Sequence, residues 1–134
     1  MPTQPTRTRR CGRPDAERRY RQALAFAALA ELDPLSTDGP TRSAAVSNAV
    51  LAGIAAADAI CCRTLGRRHT GDDHHQAQAL LTQAGELGNR ARSHLETLLS
   101  IKNKAQYEQT DPTPTETKRA LRAMRSLIDL AKSA

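Results

Sequence analysis

Tryptophan is absent, and aromatics make up only 2% of the 134 residues, as Tyr20, Phe26 and Tyr107. That scarcity excludes the stacking platforms on which sheet- and barrel-type RNA binders lay bases. β-Branched residues are few beside alanine and leucine, which favours helices packed closely on small side chains over strands. No apolar run approaches the roughly 20 residues of a membrane-crossing helix, so no membrane partner is expected. The start of the chain is rich in Arg, Thr and Pro with no apolar block behind it, unlike a secretory signal. Gly-rich phosphate loops, an HExxH pair and a serine nucleophile in a recognisable turn are all missing. The three cysteines are Cys11 and the adjacent Cys61 and Cys62. This odd count suits reduced, buried thiols in a cytoplasmic protein better than a disulfide framework. Neither cysteine spacing nor nearby histidine supports a zinc site, and no metal or cofactor is expected.

What is abundant is arginine, and it is unevenly placed. The formal net charge is +6 and the sequence pI about 9.8. Residues 1–22 hold seven arginines against Asp15 and Glu17, whereas residues 23–134 hold 13 basic and 12 acidic side chains. The body is therefore nearly neutral, and the basicity sits on the leading segment. Residues 1–13, with prolines at positions 2 and 5 and no periodicity, read as a disordered Arg-rich arm. Such an arm either grips phosphates through salt-sensitive contacts or serves as a solubilising tail.

Residues 14–134 read as one all-α domain, an antiparallel up-and-down bundle of four to five helices. A first helix starts near Asp15 and is stopped by Asp33-Pro34, because the residue before proline is pushed out of the helical region. A second runs from about Arg42 to Leu65, with Val46, Val50, Gly53, Ile54, Ala57 and Ile60 recurring at three- and four-residue steps. Gly66 suits its C-terminus. Asp72 or Asp73 caps a third helix carrying Ala77, Leu80 and Leu81. After a break at Gly85 to Gly88, a fourth helix spans about Asn89 to Gln109. Thr113 with Glu116, and Pro114 at the first helical position, start the last one.

Polar residues on apolar faces are the candidates for chemistry. Asp58 adjoins Ile54, Cys61 and Cys62, and a buried carboxylate there needs a partner. Lys102, in phase with Leu95 and Leu98, is the first candidate, and a structural ion pair between two helices is the plain outcome. The RRHTGDDHH stretch offers Arg68, His74 and His75, but consecutive histidines on a helix point about 100° apart and chelate poorly. A solvated helix start is the plain reading of that cluster.

Residues 44–65 (AAVSNAVLAGIAAADAICCRTL), then GRRHTGDDHHQAQALL and LETLLSIKNKAQYE, resemble a HEPN domain over about residues 42–132, with an Ala/Arg-rich composition similar to actinobacterial members. The resemblance rests on the order of a small-residue helix beginning SNA, a Gly-x-x-x-x-Gly-Asp-His connection, an A-x-x-LL helix and a basic-x-x-Ala-x-Tyr segment. It implies a dimeric helical module in a toxin–antitoxin, defence or nucleotidyltransferase-linked setting, binding RNA or nucleotide, with an antitoxin or nucleotidyltransferase as partner. In the catalytic members an Arg, a polar residue and a later His act at the dimer groove, without metal. The matching stretch here is Lys102, Asn103 and, at the place of the histidine, Tyr107. Lysine lacks the planar fork that holds a phosphate bidentately, and tyrosine, with a pKa near 10, is a poor general base at neutral pH. The resemblance so modified points to a binding groove near Asp58, Lys102, Asn103 and Tyr107 and away from ribonuclease activity. The alternative function is a structural protein whose bundle assembles with itself or a partner through the small residues of the second helix.

Overall fold

The computed structural model describes residues 7–71 and 73–134. The described chain is an all-α bundle with one small two-stranded sheet. Its elements are β1 (Thr8–Arg10), α1 (Arg13–Ala30), α2 (Gly39–Leu65), β2 (Arg67–His69), α3 (His74–Leu81), a 3₁₀ turn (Thr82–Ala84), α4 (Gly85–Glu108) and α5 (Pro114–Ser133).

The local start and stop signals act as their chemistry requires. Thr113 accepts the Glu116 N–H at 3.1 Å while Glu116 accepts the Thr113 N–H at 3.0 Å, a reciprocal capping box. Asp38 caps α2 by accepting the Thr41 N–H at 3.0 Å. Asp15 lies one turn inside α1 and reaches back to the Gly12 N–H at 2.9 Å, so the helix begins two residues earlier than its position suggested. Gly66 ends α2 in the left-handed conformation, φ 69°. Asp73 accepts the His75 N–H at 3.0 Å and caps α3; Asp72 lies outside the described residues.

Helix α2 is the axis of the molecule and packs against α1, α3, α4 and α5. Its alanines let the neighbours close in, and a Cβ on Gly53 would stand 2.5 Å from Leu98 Cδ1 and 3.2 Å from Leu127 Cδ1. Ile60 of α2 and Leu95, Leu98, Met124 and Leu127 of the helices around it are fully buried, each contributing about 1.5–3 kcal/mol by burial. Against the sequence expectation, α2 is long and apolar enough to cross a membrane, with an 18-residue stretch of mean hydropathy 1.7. Interspersed Ser, Asn and Asp hid that stretch from a search for unbroken apolar runs, and 78% of it is buried inside the bundle. Arg42 ties the two loops at one end together, donating to the Pro112 carbonyl at 2.8 Å and the Ser36 carbonyl at 2.9 Å.

Three expectations are corrected. The break at Gly85 to Gly88 is a 3₁₀ turn before Gly85, and Gly88 lies within α4, where a Cβ would overlap the Leu81 carbonyl oxygen. Of the supposed disordered arm, residues 1–6 lie outside the described residues, but Thr8–Arg10 forms β1 and pairs antiparallel with β2, Thr8 opposite His69 and Arg10 opposite Arg67. The cysteines are not all reduced: Cys11 and Cys62 form a disulfide with Cα atoms 5.4 Å apart, and only Cys61 is a free thiol. The antiparallel α1–α2 hairpin brings the start of one helix beside the end of the other, which places these two cysteines together.

Candidate ligand-binding site

The α1 residues Asp15, Arg18, Arg19 and Gln22 follow the i, i+3, i+4, i+7 pattern and so form one polar stripe. They face the ribbon of β1 and β2, which is fixed by the disulfide and by the Cys11 N–H donating to the Gly66 carbonyl at 3.0 Å. Between stripe and ribbon lies a cavity of about 360 Å³ lined by Arg9, Arg10, Arg18, Arg19 and Arg68 together with Asp15 and Gln22. Among the described residues, Arg9, Arg10 and Arg18 have no carboxylate partner.

Asp58 stands behind this cavity. Its Oδ2 accepts Arg19 Nε at 2.9 Å, lies 2.7 Å from Arg19 Nη2, and accepts Arg68 Nη1 at 3.3 Å. Arg19 also donates to Gln22 Oε1 at 2.7 Å. Burial pushes the Asp58 carboxyl above its ordinary pKa, while Arg19 and then Arg68 pull it back. The carboxylate thus holds two guanidinium groups in place from the protein side and leaves their remaining N–H groups for the cavity. Five arginines against Asp15 and Asp58 leave a local excess of three positive charges.

Arg19 and Arg68 also line a second cavity, of about 300 Å³. Its other walls include Ile54, Ala57, Asp58 and Leu95 from the bundle and His69, Thr70, His74 and Ala77 from the β2–α3 segment. His69 is only 8% exposed, and neither of its ring nitrogens has a hydrogen-bond partner among the described residues.

The residues singled out from the sequence do not all gather here. Asp58, Arg68 and His74 line these cavities, and His75 is exposed on the solvent side of α3. The partner of Asp58 is not Lys102, because the end of α2 that carries Asp58 faces the first half of α1. Lys102 instead lines a separate cavity of about 240 Å³ with Ser43 and Ser47 of α2 and Asp111. Ser47 and Asp58 are 11 residues apart, about 16 Å along the helix axis. Asn103 is exposed, and Tyr107 is 91% exposed near the end of α4. Five positions apart on one helix, Lys102 and Tyr107 point about 140° away from each other. Sequence reading reached Arg9 and Arg10 only as part of an arm that grips phosphates or solubilises the chain, and missed Arg18, Arg19 and His69. The Asp15–Arg18–Arg19–Gln22 spacing was the available signal. No family model, curated protein or solved structure matches this chain.

Proposed function

We propose that the chain is a non-catalytic binding module for a phosphate-bearing ligand, a nucleotide or RNA, held in the arginine cavity. The observation that carries this reading is that five arginines, from β1, β2 and α1, line one cavity. Arginine's planar fork matches phosphate oxygens bidentately, and charge-assisted hydrogen bonds are about twice as strong as neutral ones. The cavity volumes fall within the roughly 300–1,000 Å³ of small-ligand sites. Asp58, engaged by two arginines, is an orienting group in this reading. Tyr107 and Lys102 stand apart from it.

Calorimetric titration of the full chain with inorganic pyrophosphate and with a short RNA, at two salt concentrations, tests the reading. Binding is expected to weaken with salt and to fall at least about tenfold in Arg9→Ala/Arg10→Ala and in Arg18→Ala. Arg122→Ala, on the separate basic patch formed with His94 and Arg119, is expected to bind as the unaltered chain does. Absence of binding at low salt, or equal losses at Arg122, refutes it.

A second reading, self-association in the manner of a HEPN-like dimer, is favoured by one observation. Leu24, Leu29, Leu32, Leu35 and Leu51 are exposed on α1, α2 and the loop between them. Sedimentation of the protein before and after Leu32→Glu distinguishes a dimer from a monomer. The disulfide supports action in oxidising surroundings, where such bonds persist.

A further inference from the structure

Helix α1 changes character halfway along its solvent side. Residues 23–30 carry no polar side chain at all, whereas a surface helix normally turns a polar face to water. Ala23 and Ala30 are buried against the bundle, but Leu24, Ala25, Ala28 and Leu29 are exposed, and Leu32, just past the helix, is 79% exposed. At about 100° per residue, those four exposed helical positions share one arc of about 140°. A contiguous apolar surface of this kind marks an interaction site. Charges of opposite sign stand at its two ends. Arg21 precedes it on the same outward side, since Arg21, Ala25 and Ala28 follow the i, i+4, i+7 spacing. Asp33 follows it in the turn after the helix. Both are exposed, and neither joins an ion pair among the described residues. Residues 21 and 33 lie symmetrically about residue 27, at the middle of the apolar stretch.

We propose that this face binds the same face of a second copy of the chain, the two α1 helices running antiparallel about a two-fold axis. This rests on the self-association reading above and narrows it to one surface and one orientation. A two-fold interface uses the same patch on both partners, so that residue i meets j and j meets i. An antiparallel pairing centred near residue 27 brings Arg21 of each copy level with the partner subunit's Asp33. Between those ends, apolar surface covers apolar surface, and Ala25 and Ala28 let the helices approach closely. A parallel pairing sets Arg21 on Arg21 and Asp33 on Asp33, and like charges repel. An anionic lipid surface attracts Arg21 and repels Asp33, and any partner of a single charge sign likewise satisfies one end only. An antiparallel second copy supplies the opposite charge at both.

Sedimentation equilibrium of the full, disulfide-intact chain tests this with Leu29→Glu, Arg21→Asp and Asp33→Arg. The unaltered chain is expected to dimerise and Leu29→Glu to remain a monomer at the same concentrations. Either charge reversal alone replaces both opposite-charge pairs with like-charge pairs, and is expected to weaken the dimer about tenfold. Mixed in equal amounts, the two reversed chains are expected to associate about as tightly as the unaltered one, because the mixed dimer regains both pairs. The charge reversals, at exposed positions, carry the test alone if Leu29→Glu does not fold by circular dichroism. An unaltered chain that stays monomeric at about 1 mM overturns self-association and this surface together. A dimer that survives Leu29→Glu leaves self-association standing and overturns this surface. A dimer indifferent to both charge reversals, or one that the mixture does not restore, overturns the antiparallel pairing.

Discussion

Cys11 is bonded to Cys62, and the two residues that precede Cys11 are Arg9 and Arg10, the outer wall of the arginine cavity. The bond fastens a three-residue strand that is exposed along its length and, among the described residues, pairs with β2 alone. The separation of 51 residues corresponds to about 4 kcal/mol of stabilisation in the chain-entropy account of disulfides. Reduction, or Cys11→Ser, is therefore expected to lower the melting temperature by about 10 °C or more. It should also weaken pyrophosphate binding, because Arg9 and Arg10 lose their anchor. Calorimetry with and without a reducing agent measures both. A drop in melting temperature with unchanged affinity separates the strand's structural role from the binding one.

Thiol counting gives an independent check on the pairing. Cys61 is buried, and burial first, then the nearby Asp58, pushes its thiol pKa up to about 12. Since the thiolate is the reactive form, Cys61 is inert in the folded chain. A thiol reagent is expected to find no reactive group in the native protein, one after denaturation and three after denaturation with reduction. More than one thiol in the denatured, unreduced protein contradicts the Cys11–Cys62 bond.

Asp58 is the group on which the arginine arrangement turns. Replacing it with alanine removes hydrogen bonds to Arg19 and Arg68, each about 1.5–3 kcal/mol for a charged pair. Because both arginines retain partial access to water, with side chains 21% and 27% exposed, the expected total destabilisation is about 2–3 kcal/mol, at the low end for such pairs. Chemical denaturation of Asp58→Ala measures it. Lys102→Ala, at the other end of α2, is expected to leave stability within about 0.5 kcal/mol. A larger loss at Lys102 than at Asp58 contradicts the pairing found.

How much of this was legible depends on how local each cause is. The Thr113–Glu116 box, the Asp33-Pro34 stop and the Gly66 terminus each act within a few residues, and all are readable from the chain. The bundle itself follows from the period of Val46, Val50, Ile54 and their successors. The site was less legible because it assembles from three segments. The hairpin of α1 and α2 implies that Cys11 lies near Cys62 and Arg19 near Asp58, yet phase alone does not say which neighbouring helix an inward carboxylate faces. Lys102 has the right phase on α4 but sits level with Ser43 and Ser47. His69 carries no local pattern at all; its burial follows from the packing of β2 against α2 and α3.

Acid should expose the two helix caps. Thr41's side chain and backbone N–H hold the Asp38 carboxyl below its ordinary pKa, with Arg42 assisting. The Thr113 backbone N–H, followed by Lys104, does the same for Glu116. A carboxyl whose folded pKa is depressed contributes stability that is present above its unfolded pKa, near 4. That stability is lost as the pH falls through the folded value. Asp58 runs the other way: its folded pKa is raised, so its own contribution declines as the pH rises through that value. The melting temperature is therefore expected to fall between about pH 5 and about pH 2, with a shallower fall in Asp38→Asn and in Glu116→Gln. Thermal melts across that range decide the point, and an unchanged slope in both variants removes the caps as its cause.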